Sequence, residues 1–130
     1  MQGSRCASLP LRLAVIGHVE HITLGRVAAL PGAGDIAHLH DIHVLPGGGG
    51  GIAFFQLVRS SAEVHVFTAL GSDEGARVVK QAIAGTRTRI HAARREALHT
   101  RDVVMIGPDG DRTTLVIGEP LHPVASDPLP

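Results

Sequence analysis

The stretch LPGGGGGIAFFQLVR, Leu45 to Arg59, sets five consecutive glycines between two apolar segments of different character. Upstream, Ile36 to Leu45 reads as extended chain and stops at Pro46. Downstream, the apolar residues of Ile52 to Arg59 leave Gln56 and Arg59 on one side, which predicts a helix starting inside or just after the glycines. Consecutive glycines before a helix let backbone N–H groups approach a ligand closely and place it at the helix N-terminus. Ligand sites of α/β proteins lie at such strand-to-helix junctions. Gly47 to Gly51 is therefore read as a ligand-facing loop. It is not a triphosphate-cradling Walker loop, because Gly51 leads straight into Ile52 with no GK[ST].

Working outward, Leu11 to Gly17 (LRLAVIG) is a short apolar run closed by glycine, the pattern of a buried strand. His18 to Val27 continues near alternation until Leu30, Pro31 and Gly32 interrupt it. On the other side, Glu63 to Leu70 (EVHVFTAL) alternates and is rich in β-branched residues. Ser72 to Ala84 opens with a capping residue and two acids, spaces Ala76, Val79 and Ile83 along one helical face, and ends at Gly85. Arg87 to Ala93 reads as a further strand. Thr100 to Ile106 and Arg112 to Ile117 form two strands joined by Pro108-Asp109-Gly110-Asp111, a hairpin signal. Strands alternating with helices imply parallel pairing through right-handed crossovers. The two extended pairs, about 19–45 and 100–118, suggest a separate, smaller antiparallel sheet. The expected class is α/β: a Rossmann-like, mostly parallel sheet with flanking helices, plus a β-sheet lid. Residues 1–10 read as a loose tail, 11–118 as the folded part and 119–130, rich in proline, as a connection onward.

The chain has 130 residues, of which 44% are apolar, so a core can be buried. Twelve Lys plus Arg balance twelve Asp plus Glu, which leaves no net field to drive binding to nucleic acid or to an anionic membrane surface. No apolar run approaches the roughly 20 residues that span a bilayer. A lone Cys6 and the absence of a signal-like apolar core fit the reducing cytoplasm.

Other motifs carry less. Gly32 to Ala37 formally matches GxGxxA, but Pro31 precedes it and a histidine-rich extended segment follows, so a turn is the better reading than a dinucleotide site. His38 and His40 share a strand face and His43 falls on the other, with His18 and His21 nearby; solvated histidines are favoured over a metal site. Arg87, Arg89, Arg94, Arg95 and Arg101 read as a solvated face. Glu20 lies just beyond the first strand's carboxyl end, where a carboxylate can accept hydrogen bonds from sugar hydroxyls.

The order of these landmarks resembles the N-terminal half of a PfkB-type (ribokinase-like) carbohydrate kinase over nearly all of Leu11 to Pro120. They are VIGHVEHITLGRV after the first strand, the LPGAGDI turn, the glycine signature in LPGGGGGIAFFQLVR, Gly71, Asp73 and Gly75 in TALGSDEGARV, and the lid hairpin HTRDVVMIGPDGDRTTLVIG. The resemblance implies a sugar or nucleoside site under a β lid and transfer of the ATP γ-phosphate to a substrate hydroxyl. It implies substrate contacts at Glu20, Gly47, Gly48, Gly49, Gly50 and Ile52, and allows a homodimer through the lid sheet. Two departures stand out. Ile52 occupies the position where many members carry Asn, and Glu20 and Ile22 stand where they carry an Asn-x-Asp pair. Family kinases are also about twice as long, and their C-terminal half supplies the Mg-ATP pocket and the catalytic Asp in a GAGD motif. Gly32 to Asp35 spells GAGD here, but in a lid turn, so Asp35 is not assigned as a base. The chain alone is expected to carry no catalytic residue, to bind no metal or nucleotide, and to be inactive, with a non-catalytic lid-mediated binding or oligomerisation module as the alternative.

Overall fold

The computed structural model describes residues 11–85 and 87–128. The expected tail 1–10, including Cys6, lies outside the described residues, as do the last two residues of the proline-rich segment. The elements follow as β1 (Arg12–Ile16), β2 (Glu20–Arg26), β3 (His40–Gly47), α1 (Gly48–Leu57), β4 (Glu63–Leu70), α2 (Glu74–Ile83), β5 (Thr88–Arg94), β6 (Arg101–Ile106) and β7 (Arg112–Ile117).

Strands β1, β4 and β5 form a parallel sheet in the order β1-β4-β5. Alternation along β4 turns Val64, Val66 and Leu70 to one face, where they meet Val15, Phe54 from α1, and Ala76, Val79 and Ile83 from α2. This is the core, and burying each large aliphatic or aromatic side chain in it stabilises the fold by about 1.5–3 kcal/mol. Helix α2 exists because Ala76, Val79 and Ile83 recur at helical spacing and because the Asp73 carboxylate accepts the Ala76 N–H at 3.2 Å as its N-cap. The cap is Asp73 and not the expected Ser72.

The remaining strands form a second sheet in the order β3-β2-β6-β7. Its outer pairs are antiparallel hairpins, as expected, but β2 and β6 run parallel, so the lid is a mixed sheet and not an antiparallel one. The reason is chain direction. Strand β2 leaves the carboxyl end of β1 and β6 leaves the carboxyl end of β5, so two strands extruded from the same edge of a parallel sheet point the same way. With four strands against three, this sheet is also not the smaller of the two in this chain.

Strand β3 begins at His40 and not at Ile36. The β2–β3 register shifts between Leu24 and Arg26, where β3 carries an extra residue and Asp41 takes a positive φ of 49°. The bulge brings the Leu39 side chain and the His40 carbonyl so close to Gly25 that a Cβ there would lie 2.7 Å and 3.0 Å from them.

Candidate functional site

The glycine run is not a loop. Gly47 ends β3 and Gly48 to Gly51 are the first turn of α1. Gly48 turns the chain from strand to helix at φ +72°, a conformation that glycine adopts without steric cost. The helix has no side-chain cap at Gly47. Its first N–H groups are satisfied instead by one residue of the β1–β2 connection. The Gly49 N–H donates to His18 Nε2 at 3.2 Å, and the Gly50 N–H donates to the His18 carbonyl at 2.9 Å. A Cβ on Gly50 would stand 2.7 Å from that carbonyl oxygen and 2.8 Å from the Gly17 carbonyl carbon. Glycine at position 50 is thus required for two backbones to touch, and His18 fills part of the N-terminal space that the sequence suggested for a ligand.

Glu20 opens β2 opposite Gly47, its register partner on β3. Its side chain is 14% exposed, and its carboxyl oxygen lies 3.5 Å from His18 Nε2. On the same sheet face stands Asp102 of β6, whose register partner is Ile22, two residues on from Glu20. Burial first, and then a hydrogen bond shared with Asp102 and like-charge repulsion from it, together push the Glu20 carboxyl up to about 7. His18 Nε2 accepts from Gly49, so it holds a lone pair there and cannot also donate to Glu20. The contact therefore sets an acceptor nitrogen beside a carboxyl that retains its proton into the neutral range, and it is not an ion pair. Asp102 is only 6% exposed, and its Oδ1 has no fixed hydrogen-bond donor.

Beside these carboxyls the two sheets are bolted together. The Asp73 carboxylate, besides capping α2, accepts from the His99 N–H at 3.2 Å and from Arg101 Nη2 at 2.7 Å. Burial acts to raise the Asp73 pKa, but the hydrogen bonds from Arg101, Ala76 and His99 outweigh it and hold the carboxyl below its ordinary value. Gly71 lies against Ala97 and His99 so closely that a Cβ would be 2.6 Å from the Ala97 oxygen and the His99 nitrogen. Burial lowers the pKa of His99, which is 1% exposed, and its Nδ1 accepts from the Gly71 N–H at 3.3 Å. Gly71, Asp73 and Gly75 thus serve the joint between α2 and β6. Past β7, the Thr100 hydroxyl donates to the Glu119 carbonyl at 2.8 Å, and Arg95 pairs with Asp127 at 2.7 Å. The proline-rich segment lies back along the carboxyl ends of the parallel strands over a cavity of about 260 Å³.

The structure brings Glu20, Gly47 and the Gly48–Gly50 turn together through His18. Ile52, one turn further along α1, is 62% exposed. Asp35 accepts the Gly32 N–H at 3.0 Å and closes an exposed local turn. Among the described residues, no group of three or more His, Cys, Asp or Glu is arranged to hold a metal ion, and no helix is long and apolar enough to cross a membrane. The arginine stretch is largely paired with surface carboxylates: Arg89 with Glu63, Arg94 with Glu96, Arg95 with Asp127 and Arg101 with Asp73. Sequence reasoning weighed His18 only among the histidines of a possible metal site and passed over Asp102. The signal for Asp102 was an acid at the head of the apolar run Val103 to Ile106; nothing local marked His18 as a helix-capping group.

No family model matches the chain, and no curated protein does. Solved structures do. Ribokinase from Cryptococcus neoformans in complex with ADP matches with a TM-score of 0.67 at 20% identity, over 85% of this chain and 34% of that one. Ribokinase from Arabidopsis thaliana complexed with ribose and ATP matches with a TM-score of 0.63 at 17% identity, over 84% and 36%. Phosphofructokinase-2 from Escherichia coli, solved with substrates and products, matches with a TM-score of 0.69 at 8% identity, over 86% and 36%. The fold is ribokinase-like, and the chain spans about a third of the length of these structures.

Proposed function

We propose that this chain is the sugar-binding portion of a PfkB-type carbohydrate kinase, with Glu20 and the Gly47–Gly50 turn lining the substrate site. The observation that carries the reading is Glu20, a largely buried carboxyl where the lid sheet leaves the parallel sheet, in a ribokinase-like fold. Such a group accepts hydrogen bonds from sugar hydroxyls when ionised and donates one when protonated. The space above Gly47 is taken by the Ile22 side chain and that above Gly48 by His18, so the glycines let these two residues close over the turn beside Glu20, and Ile52, 62% exposed, stands at the outer edge. In the full-length kinases that the chain resembles, Mg-ATP supplies the phosphoryl group. The residues described here do not form a cradle for it, because the Gly49 and Gly50 N–H groups are already committed to His18. No step of phosphoryl transfer is therefore assigned to them.

Calorimetric titration with ribose, fructose, glucose and adenosine tests this reading. The expected result is measurable binding of at least one of them, weakened about tenfold or more by Glu20→Gln through loss of a charge-assisted hydrogen bond, with no phosphorylated product after incubation with Mg-ATP. Absence of binding across the series overturns it.

A second reading is favoured by one surface. Ile42, Val44, Leu115 and Ile117 are each more than half exposed, and register places them on the lid face opposite Glu20. A homodimer through this face would bury them, and sedimentation of the chain beside Leu115→Asp tests it: a dimer that dissociates in the variant supports it, and a monomer at all concentrations removes it.

A further inference from the structure

One face of the lid sheet sets several acceptors side by side at its base. Glu20 and Asp102 face one another on one side of the lid sheet, and the His18 Nε2 lone pair beside Glu20 is already engaged by the Gly49 N–H. Asp102 is nine-tenths buried and its Oδ1 lacks a donor. The adjacent cation, Arg101, points to the other face of the sheet and is held by Asp73 at 2.7 Å. His122 meets the His18 ring edge-on with centroids 5.0 Å apart, so the tail adds an aromatic wall there and no fixed charge. Two carboxyls this close cannot both ionise without a positive group between them. A neutral hydroxyl leaves that conflict in place, and among the described residues no third His, Cys, Asp or Glu joins the pair in an arrangement that holds a metal ion.

We infer that Glu20 and Asp102 together form a subsite for a protonated amine, so that the substrate is an amino sugar or a similar amine-bearing polyol. The inference rests on reading this base of the lid sheet as the substrate site. The ammonium donates to both carboxylates and takes the place of the proton that Glu20 otherwise keeps. Asp102 is then a specificity-determining residue contributed by β6, far in sequence from the glycine signature.

Isothermal titration of the 130-residue chain at pH 7, in two buffers of different ionisation enthalpy, tests this with glucosamine, galactosamine and mannosamine against glucose, galactose, mannose and N-acetylglucosamine. At least one amino sugar is expected to bind about tenfold or more tighter than its hydroxyl counterpart, the factor that each unit of relieved carboxyl pKa is worth. Binding of that sugar releases a proton, and the acetylated sugar loses the advantage. Asp102→Asn abolishes the preference while retaining binding of the hydroxyl sugar. Equal binding of amino and hydroxyl sugars overturns the amine subsite and leaves the sugar-binding reading standing. A preference that N-acetylglucosamine shares, or that persists in Asp102→Asn, also overturns it. Failure of every sugar to bind overturns both. The comparison between charged and acetylated ligands needs no variant, so it decides the matter even if Asp102→Asn does not fold.

Discussion

The two sheets of this protein are made of similar strands and differ in what covers them. Strand β4 of the parallel sheet has Val64 and Val66 at 0% exposure beneath α1 and α2, whereas every residue of β7 in the lid is exposed. The first sheet is a core element, and the second is held by its hydrogen-bond ladder and by a few fixed points at its base. Cooperative stability therefore resides in the α/β layer, and the lid can open or exchange partners at lower cost. The carboxyl pair sits at the boundary, where Glu20 keeps its proton into the neutral range beside Asp102.

The contrast breaks first in the core. Ile83→Ala, at a side chain 1% exposed, is expected to cost about 4 kcal/mol in urea unfolding; a cost below about 1 kcal/mol would mean the α/β layer is not the cooperative unit. The next effect belongs to the boundary. Glu20 has a folded pKa raised to about 7 from an ordinary value near 4.5, so its protonated form favours the fold. That stability is complete below pH 4.5 and is lost as pH rises through about 7, a fall of up to roughly 3 kcal/mol. His99 acts in the opposite direction, since burial keeps it neutral and acidification below its ordinary value near 6.5 then favours the unfolded chain. The Glu20 contribution is thus read as the difference between wild type and Glu20→Gln across pH 4.5 to 8, and parallel profiles would exclude it.

Asp73→Ala removes the cap of α2 and both bonds to the lid base, for an expected loss of about 1–2 kcal/mol. Amide exchange in β6 should accelerate more than in β4; uniform acceleration would show that the sheets unfold together. The smallest effect is expected for Leu115→Ser on β7, where a 55% exposed side chain changes stability by about 0.5 kcal/mol or less. A larger loss would show that the outer lid face is covered in solution.

Much of this architecture was legible from pattern. Alternation in Glu63 to Leu70, the helical spacing of Ala76, Val79 and Ile83, and the Pro108–Asp111 turn each report on neighbours a few residues away, and each element formed where its pattern lies. The glycine run was legible as a junction but not in its role. Five glycines read as a ligand-facing loop, and only the approach of Gly50 to the Gly17 and His18 backbone shows that close packing requires glycine there. Of the site, Glu20 was visible because of its place after β1. Asp102 was not, because its meaning depends on β6 lying beside β2.

By itself the sequence determined the types of the elements, their order, the division into two sheets and the position of one carboxyl at the end of the first strand. All of these follow from local periodicity and turn chemistry. Only the tertiary structure decided that β2 and β6 pair in parallel, that His18 caps α1, and that Asp102 comes to face Glu20. Those pairings depend on the direction in which distant strands leave a shared sheet edge and on the register of a long-range ladder, neither of which is written in any short window of residues.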